Sequence, residues 1–354
     1  MRLLRKKKDS LEARIGRLAR YGASREIMDK LARYLREADD RELYKVNPHH
    51  VAAKLGVDVH TALGVLACAV QEGLFDLNWD VHCPHCEGQA RTFSSLRDGR
   101  SEEFCANCQV GFAPHLDHEV HVTFSVNESV RKLSTQEPLP DAPYPPTLGL
   151  ELLHVQPFRD LFADHVLPPG ESLQVKRVAF LFTDLQGSTA MYVREGDPRA
   201  YGRVREHFEV LFQAANRNRG ITVKTIGDAV MASFMTSLDA LRTTVDVHRG
   251  IGILNQQLEL SGDKALAIRQ GVHVGPCISV TLNERLDYFG ATVNIASRVS
   301  HLSRGDDVVL TEAMLTSRET QAEALQRGRL EGFESELHGY EQSFQLQRLV
   351  FVGD

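Results

Sequence analysis

The sequence has no long hydrophobic run. None of its apolar stretches approaches the ~18 residues that a membrane-spanning helix needs, and no hydrophobic segment follows its basic first residues, so a secretory signal is not expected. Of the 354 residues, 42% are hydrophobic and 25% are charged, which is near the average for globular proteins and excludes wholesale disorder. A net charge of -6 argues against a surface coated with cations for nucleic acid. We expect a cytoplasmic protein of about two or three domains.

Cysteine is scarce and unevenly placed. Four of the six cysteines form two C-x-x-C pairs, Cys83 with Cys86 and Cys105 with Cys108, and the pairs are separated by eighteen residues. This spacing is typical of a tetrahedral zinc site with four thiolate ligands. We predict one structural Zn²⁺ per chain in a small zinc ribbon over residues 81–130. Nearby histidines could replace or supplement a ligand: His82, His85, His115, His118 and His121.

The first 22 residues predict a basic amphipathic helix. Residues 1–20 contain eight Lys and Arg against two acids, with apolar residues near helical spacing. The plain interpretation is a solvated helix, or half of a dimer contact. A membrane-surface or nucleic-acid arm is the alternative.

Helix-start signals follow over residues 23–80. Ser24, Asn47 before a proline, and Asp58 each precede a helical pattern, and a strand-like segment follows Gly73. This order resembles a winged helix-turn-helix. Since residues 55–90 contain no Lys or Arg, we expect a packing or regulatory module rather than a DNA reader.

A proline-rich linker and connecting segment, residues 131–175, precede a region that alternates strands and helices, residues 176–352. The apolar periodicity predicts an α+β fold of ferredoxin-like βαββαβ order. The predicted elements are strand 178–182, helix 200–215, strands 221–226 and 229–234, helix 237–260 and strand 267–274.

Two carboxylates lie at the ends of predicted strands. Asp184 ends the first strand, and Asp228 lies in the turn of the following hairpin. We expect these two strands to be neighbours, so that both acids share a pair of divalent cations. Gly187, Ser188 and Thr189 would form a loop whose N–H groups face phosphate. Alternatively, each aspartate is an ordinary turn residue.

Three separated motifs resemble class III adenylyl cyclases and cover about half of the chain. They are Phe182–Thr189 (FTDLQGST), Lys224–Ala229 (KTIGDA) and Asp287–Arg298 (DYFGATVNIASR). The resemblance implies that Asp184 and Asp228 bind two Mg²⁺ or Mn²⁺ ions, and that Lys224 and Asp287 read the adenine edge. Guanylyl cyclases of this family have Glu at the Lys224 position, so ATP is favoured over GTP.

The same resemblance assigns the catalytic step. It implies that Asn294 orients the ribose and that Arg298 stabilises phosphate charge in the transition state, with the site completed across a homodimer interface. A lysine that the family uses for the triphosphate is replaced by His338, a weaker phosphate ligand because histidine is mostly neutral at pH 7. The expected reaction converts ATP to 3′,5′-cyclic AMP and pyrophosphate.

The N-terminal half resembles regions that precede some bacterial cyclase domains. We expect it to regulate the cyclase through dimer geometry, and we expect no nucleic-acid partner. Two alternatives remain open: a catalytically silent nucleotide-binding regulator, and a zinc-ribbon regulator that binds nucleic acid.

Overall fold

A computed structural model describes residues 10–139, 143–163, 167–283 and 285–352. The chain divides into two compact units. The first comprises Met1–Leu173 with Thr281–Arg285, and the second comprises Gln174–Val280 with Leu286–Asp354.

The N-terminal unit combines six helices with five short strands in its described part. The helices are α1 Leu11–Arg17, α2 Arg25–Glu37, α3 Pro48–Leu55, α4 Val59–Gln71, α5 Gly149–Leu153 and α6 Gln156–Leu161. The strands are β1 Phe75–His82, β2 Gln89–Phe93, β3 Glu103–Cys105, β4 Val110–Phe112 and β5 Val120–Val126. An antiparallel sheet has the order β2-β1-β5, and β3 pairs with β4 in a separate hairpin.

The predicted helix starts at Ser24, Asn47 and Asp58 are confirmed. Each side chain accepts a hydrogen bond from a backbone N–H in the first turn of α2, α3 or α4. Such caps satisfy donors that have no partner within the helix. Gly56 ends α3 in a left-handed conformation with φ of 69°, as a glycine C-cap does.

The basic N-terminal segment is described only from Ser10 onward, so residues 1–9 of the predicted helix lie outside the described residues. Arg14 donates to the carbonyl of Gly73 at 2.6 Å, and Arg17 pairs with Glu72. These two guanidinium groups are therefore used inside the unit, where they hold α1 against the end of α4.

The connecting segment is only partly described. Residues 140–142 of the proline-rich stretch and residues 164–166 lie outside the described residues. In that region α6 covers Gln156–Leu161.

The C-terminal unit is one large sheet covered by helices. The helices are α7 Ser188–Glu195, α8 Asp197–Arg217, α9 Ser237–Gln257, α10 Ala291–Ser300 and α11 Arg318–Arg327. The strands are β6 Leu173–Leu185, β7 Ile221–Ile226, β8 Ala229–Phe234, β9 Ile268–Leu282, β10 Arg285–Phe289, β11 Asp307–Thr311, β12 Gly328–Glu336 and β13 Ser343–Phe351. The eight-stranded sheet has the order β12-β13-β11-β9-β6-β8-β7, and β10 pairs with β9.

The last four strands in this order confirm the predicted α+β, ferredoxin-like βαββαβ order. In chain order, β6, α8, β7, β8, α9 and β9 form a βαββαβ unit, and its strands lie as β9-β6-β8-β7. The sheet then continues through β11, which runs parallel to β9, to the β12–β13 hairpin.

The expectation that the first two strands are neighbours is wrong. β6 pairs with β8, and β7 lies one position further out. The crossover through α8 skips one position in the sheet, and the tight β7–β8 hairpin then returns β8 into that gap. The turn of this hairpin nevertheless stays near the end of β6, because Thr183 pairs with Val230.

The apolar faces of α8 and α9 cover the sheet near β6 and β9. One buried cluster combines Val204 and Leu211 of α8 with Val247 and Ile251 of α9 and with Ile268 of β9. Each such fully buried aliphatic side chain stabilises the fold by about 1.5–3 kcal/mol. This packing fixes the strand ends from which the site residues project.

No single helix in the described part of the chain is long and apolar enough to cross a membrane. Among the described residues, two consecutive helices, Pro48–Leu55 and Val59–Gln71, are together long and apolar enough by length and composition. The chain bends by 101° between them.

Candidate active site and cysteine cluster

Asp184 and Asp228 lie at the same edge of the sheet. Asp184 is the penultimate residue of β6, and Asp228 follows Gly227, whose φ of 64° makes the turn between β7 and β8. Burial, followed by the negative charge of Asp228, raises the pKa of Asp184. His301 and Arg269 oppose this rise, and Arg269 Nη1 lies 4.0 Å from Asp184 Oδ2. The two carboxylates therefore interact electrostatically.

These carboxylates fit a divalent cation. Asp228 Oδ2 is buried and has no hydrogen-bond partner among the described residues. A buried carboxylate oxygen without a partner carries a large desolvation cost, which a bound cation offsets. Carboxylate oxygens are the ligands that Mg²⁺ and Mn²⁺ prefer.

His207 supports the turn that carries Asp228. This α8 histidine is fully buried, and its Nε2 lies 3.2 Å from the backbone carbonyl of Asp228, to which it donates. Burial lowers the pKa of His207, so the ring is held neutral. The histidine fixes the turn without occupying the cation site.

The expected phosphate loop is the beginning of a helix. Gly187 has a φ of 71°, and α7 starts at Ser188, with Thr189 in its first turn. The first N–H groups of a helix have no acceptor within it, and they favour anions. Gly187, Ser188 and Thr189 therefore form the start of a helix rather than a loop, and their contact with phosphate stays a prediction.

Lys224 and Asp287 form a pair. Lys224 Nζ of β7 lies 2.5 Å from Asp287 Oδ2 of β10, and Asp287 Oδ1 accepts from the N–H of Tyr288 at 2.8 Å. Asp287 is buried, whereas about a third of the Lys224 side chain, 34%, is exposed. The Lys224 ammonium also lies 5.5 Å from the ring centre of Phe289, which is itself exposed. A cation, a carboxylate and an aromatic face thus converge on one accessible spot.

Asn294 and Arg298 are not bonded to these four residues within the described part of the chain. Both belong to α10, where Asn294 is exposed and Arg298 packs over the ring of Tyr340 at 4.9 Å. Among the described residues, neither side chain is hydrogen-bonded or ion-paired to the carboxylates or to the Lys224–Asp287 pair. His338 is exposed in the turn between β12 and β13, next to Gly339, which approaches Arg298.

The four clustered cysteines come together in the N-terminal unit. The Sγ atoms of Cys83, Cys86, Cys105 and Cys108 all lie within 4.8 Å of one another. Cys83 and Cys108 are 3.9 Å apart, and Cys86 and Cys105 are 3.7 Å apart. Tetrahedral zinc with Zn–S bonds of about 2.3 Å requires sulfur atoms roughly 3.8 Å apart. The cluster therefore fits this metal.

The two cysteine pairs have the same backbone shape. Glu87 and Gln109, which directly follow the second cysteine of each pair, have φ values of 58° and 54°. The N–H of Glu87 donates to the carbonyl of Cys83 at 2.9 Å, and that of Gln109 donates to the carbonyl of Cys105 at 2.7 Å. Such repeated tight turns present two thiolates each to a shared metal.

The histidines near the cysteines have other partners. His82 stacks on His121 with ring centres 4.3 Å apart, and His115 Nδ1 lies 2.9 Å from Glu119 Oε2. In the described part of the chain, the metal-binding group comprises the cysteines alone.

No local sequence pattern identifies three residues that belong to the site region. Arg269 flanks Asp184, His207 supports the Asp228 turn, and Tyr340 covers Arg298. The residues of each pair are separated by at least 21 positions in the chain, and only the packing of α8, α10, β9 and the β12–β13 turn brings them together.

Comparison with known protein families assigns both regions. Residues 171–344 match the adenylate and guanylate cyclase catalytic domain, and residues 10–144 match DUF5939, a family of unknown function. An adenylate cyclase of Podospora anserina is 30% identical over 152 residues, which are 38% of this chain and 7% of that protein. An adenylate cyclase of Anabaena cylindrica is 24% identical over 172 residues, 44% of this chain and 34% of that protein. The chain thus spans a small part of the relatives that it matches.

Solved structures include similar catalytic domains. The adenylyl cyclase CyaB from P. aeruginosa has a TM-score of 0.44 and 21% identity, over 52% of this chain and 97% of that chain. A monomeric adenylate cyclase structure from Trypanosoma brucei has a TM-score of 0.42 and 21% identity, over 49% of this chain and 89% of that chain. The motifs and the family match agree, and the C-terminal half of this chain is a class III adenylate and guanylate cyclase catalytic domain.

Proposed function

We propose that this protein is an adenylate cyclase, which converts ATP to 3′,5′-cyclic AMP and pyrophosphate. One observation carries the proposal: strands of a single sheet carry both the hydrogen-bonded pair Lys224–Asp287 and the interacting carboxylates Asp184 and Asp228. One pair offers a purine-reading donor and acceptor, and the other offers a cation site. In the reaction, the ribose 3′-oxygen attacks the α-phosphorus, the bond from that phosphorus to the bridging oxygen of pyrophosphate breaks, and the 3′-hydroxyl loses its proton.

The Lys224–Asp287 pair favours adenine. Adenine presents an acceptor at N1 and a donor at its 6-amino group, which an ammonium donor and a carboxylate acceptor match. Guanine presents the reverse order at O6 and N1. Phe289 offers a flat apolar surface beside the pair, on which a purine ring can stack.

Asp184 and Asp228 are proposed to hold two Mg²⁺ or Mn²⁺ ions. Cations at this position would neutralise triphosphate charge and lower the pKa of the ribose 3′-hydroxyl. The N–H groups at the start of α7, from Ser188 and Thr189, donate to phosphate oxygens and fix the triphosphate relative to the carboxylates. His207 holds the Asp228 backbone in place.

Asn294 and Arg298 are proposed to complete the site of a partner subunit. Both lie on α10, and within the described part of the chain neither side chain bonds to the cation and purine residues, which supports a site shared across a homodimer. Asn294 then orients the ribose, and Arg298 donates to phosphate oxygens whose charge grows in the transition state.

The N-terminal unit is proposed to bind one structural Zn²⁺ and to regulate the cyclase. The four-cysteine cluster leaves no open ligand position, so the metal would stabilise the fold and take no part in the chemistry. Nucleic acid is not proposed as a partner, because the Arg14 and Arg17 side chains are engaged inside the unit.

The first experiment measures cyclic nucleotide formed from ATP or GTP with Mg²⁺ or Mn²⁺. We expect cyclic AMP from the wild-type protein and at least 100-fold less from Asp184→Asn, which keeps the side-chain shape but loses the charge. Nucleotide binding without any product would overturn the proposal in favour of a catalytically silent nucleotide-binding regulator. More cyclic GMP than cyclic AMP would overturn the assignment of ATP.

A further inference from the structure

The guanidinium of Arg298 lies in a shallow cradle formed by the β12–β13 turn. Its Cζ lies 4.9 Å from the ring centre of Tyr340. Gly339, which precedes Tyr340, also lies against the guanidinium: a Cβ atom added to this glycine would lie only 3.3 Å from Arg298 Nη2. The aromatic ring and the bare glycine backbone together allow the guanidinium to approach the turn closely.

Tyr340 is itself held in place from several directions. Its N–H donates to the carbonyl of Leu337 at 3.0 Å, which closes the turn. Its ring meets Phe344 edge-on at 5.4 Å, and its hydroxyl lies 3.4 Å from the carbonyl of Ala291 at the start of α10. The ring therefore joins the turn to the helix that carries Arg298.

The donors of Arg298 remain available. Within the described part of the chain, its guanidinium forms no hydrogen bond and no ion pair. Other arginines of this unit are neutralised by acids: Arg327 pairs with Glu323, and Arg348 pairs with Asp307. A guanidinium that is stacked on one face and has its in-plane N–H groups unused is suited to an oxyanion such as phosphate.

We propose that Tyr340 is a positioning residue for the cyclase reaction. Its ring orients the Arg298 guanidinium so that the N–H groups point outward to the phosphate of a nucleotide bound by the partner subunit. The ring acts only through Arg298 and touches no substrate. This inference rests on the proposed adenylate cyclase function.

The physical reason is preorganisation. A flexible arginine has to lose its side-chain freedom when it binds phosphate, whereas an arginine stacked on a fixed ring has lost part of it already. A misplacement of about 1 Å in a group that acts on the transition state can lower a rate by about 100-fold. Because Arg298 acts on charge that develops in the transition state, loss of the ring should lower kcat more than it changes KM.

The test compares steady-state kinetics of the full-length protein and single variants with ATP and Mn²⁺. Tyr340→Phe keeps the ring, and we expect its kcat within about 2-fold of wild type. Tyr340→Leu removes the ring, and we expect kcat to fall about 10-fold or more with KM for ATP within about 3-fold. Phe333→Leu is the matched control, since it removes another ring of the same hairpin that lies 4.9 Å from the guanidinium of Arg348 instead of covering Arg298, and its kcat should stay within about 2-fold.

Three results would overturn the inference: wild-type kcat in Tyr340→Leu, an equal loss in Tyr340→Phe, or an equal loss in Phe333→Leu. Thermal unfolding of each variant identifies misfolding, and Tyr340→Met, which keeps more of the volume, replaces Tyr340→Leu if the latter does not fold. A wild-type protein that makes no cyclic nucleotide would instead refute the proposed function itself, and the inference with it.

Discussion

Lys224 and Asp287 hydrogen-bond to each other at 2.5 Å, so an adenine edge that binds them has to share or replace that contact. Asp287 is buried, and its second oxygen is fixed by the N–H of Tyr288, so the carboxylate is the rigid member of the pair. Lys224 is the adaptable member because its side chain is partly exposed. The choice between ATP and GTP therefore depends on the hydrogen-bonding groups of one side chain, that of Lys224.

The variant Lys224→Gln should weaken the preference for ATP. A glutamine amide both donates and accepts, so it can match adenine or guanine. We expect the ratio of kcat/KM for ATP to that for GTP to fall by about 10-fold or more, measured with both nucleotides in competition. Lys176→Gln, a change on β6 outside the site, is the control. An unchanged ratio in Lys224→Gln would show that this pair does not read the purine.

His338 offers a second change at a single residue. The side chain is exposed in the β12–β13 turn next to Gly339, and the permanent positive charge of a lysine there would attract the triphosphate more strongly than an imidazole does. We expect His338→Lys to lower KM for ATP by about 2- to 10-fold through a charge-assisted contact. His338→Gln serves as the uncharged control. Unchanged apparent ATP affinity in the lysine variant would contradict the phosphate-binding role.

At the scale of elements, β9 and β11 are joined by a buried polar contact. His273 Nδ1 of β9 lies 2.7 Å from the hydroxyl of Thr311 on β11, and burial lowers the pKa of His273 to about 4. In the unfolded chain a histidine titrates near 6.5. The folded protein is therefore stabilised above about pH 6.5, and this contribution is lost as the pH falls toward 4, by at most about 1.4 kcal/mol per pH unit.

The variant His273→Gln should make the stability of the protein less sensitive to pH. Glutamine can keep the hydrogen bond to Thr311 but does not titrate between pH 4 and pH 7. Thermal unfolding at pH 7.5 and pH 5 should show a smaller difference in melting temperature for the variant than for wild type. Equal differences in the two proteins would mean that His273 does not stay neutral in the folded state.

The cysteine hairpins are elements with little core of their own. β3 and β4 contain three residues each, and Phe104 on β3 is exposed, so a metal would supply most of their stability. We expect about one Zn²⁺ per chain by elemental analysis, and almost none in Cys105→Ser. Cys68→Ser, at a buried thiol of α4, is the matched control and should keep its zinc. Protein free of zinc with an unchanged melting temperature would contradict the structural role.

At the scale of the whole molecule, the proposed site is divided between two sets of residues. Asp184 and Asp228 interact with each other, whereas Arg298 lies against the β12–β13 turn. If two copies of the chain complete each other's sites, one variant can supply what another lacks.

Mixing two inactive variants should therefore restore activity. Asp184→Asn removes the cation-binding residue of the site, and Arg298→Ala removes the residue that the other subunit contributes. In a mixed dimer both changes fall in the same site, so the second site is intact. We expect the mixture to recover about a quarter of wild-type activity, since about half of the dimers formed at random are mixed. Each variant alone at the same total concentration is the control. A mixture no more active than its components would show that the two sets do not combine across subunits.

The sequence by itself determined the local structure and the chemistry available. Ser24, Asn47 and Asp58 start helices because their side chains accept first-turn N–H groups, which depends on neighbouring residues only. The cysteine spacing likewise predicts a four-thiolate cluster, because each C-x-x-C turn is local. The succession of strands and helices was enough to predict the βαββαβ order, although not which strands are neighbours.

Only the tertiary structure decided which distant residues meet. β8, rather than β7, lies beside β6. The sequence does not distinguish a connection that skips one position in the sheet from a connection between adjacent strands, since both consist of a strand, a helix and a hairpin. The contacts of His207 with the Asp228 turn and of Tyr340 with Arg298 depend on how α8 and α10 pack. Such contacts join residues far apart in the chain, and no local pattern encodes them.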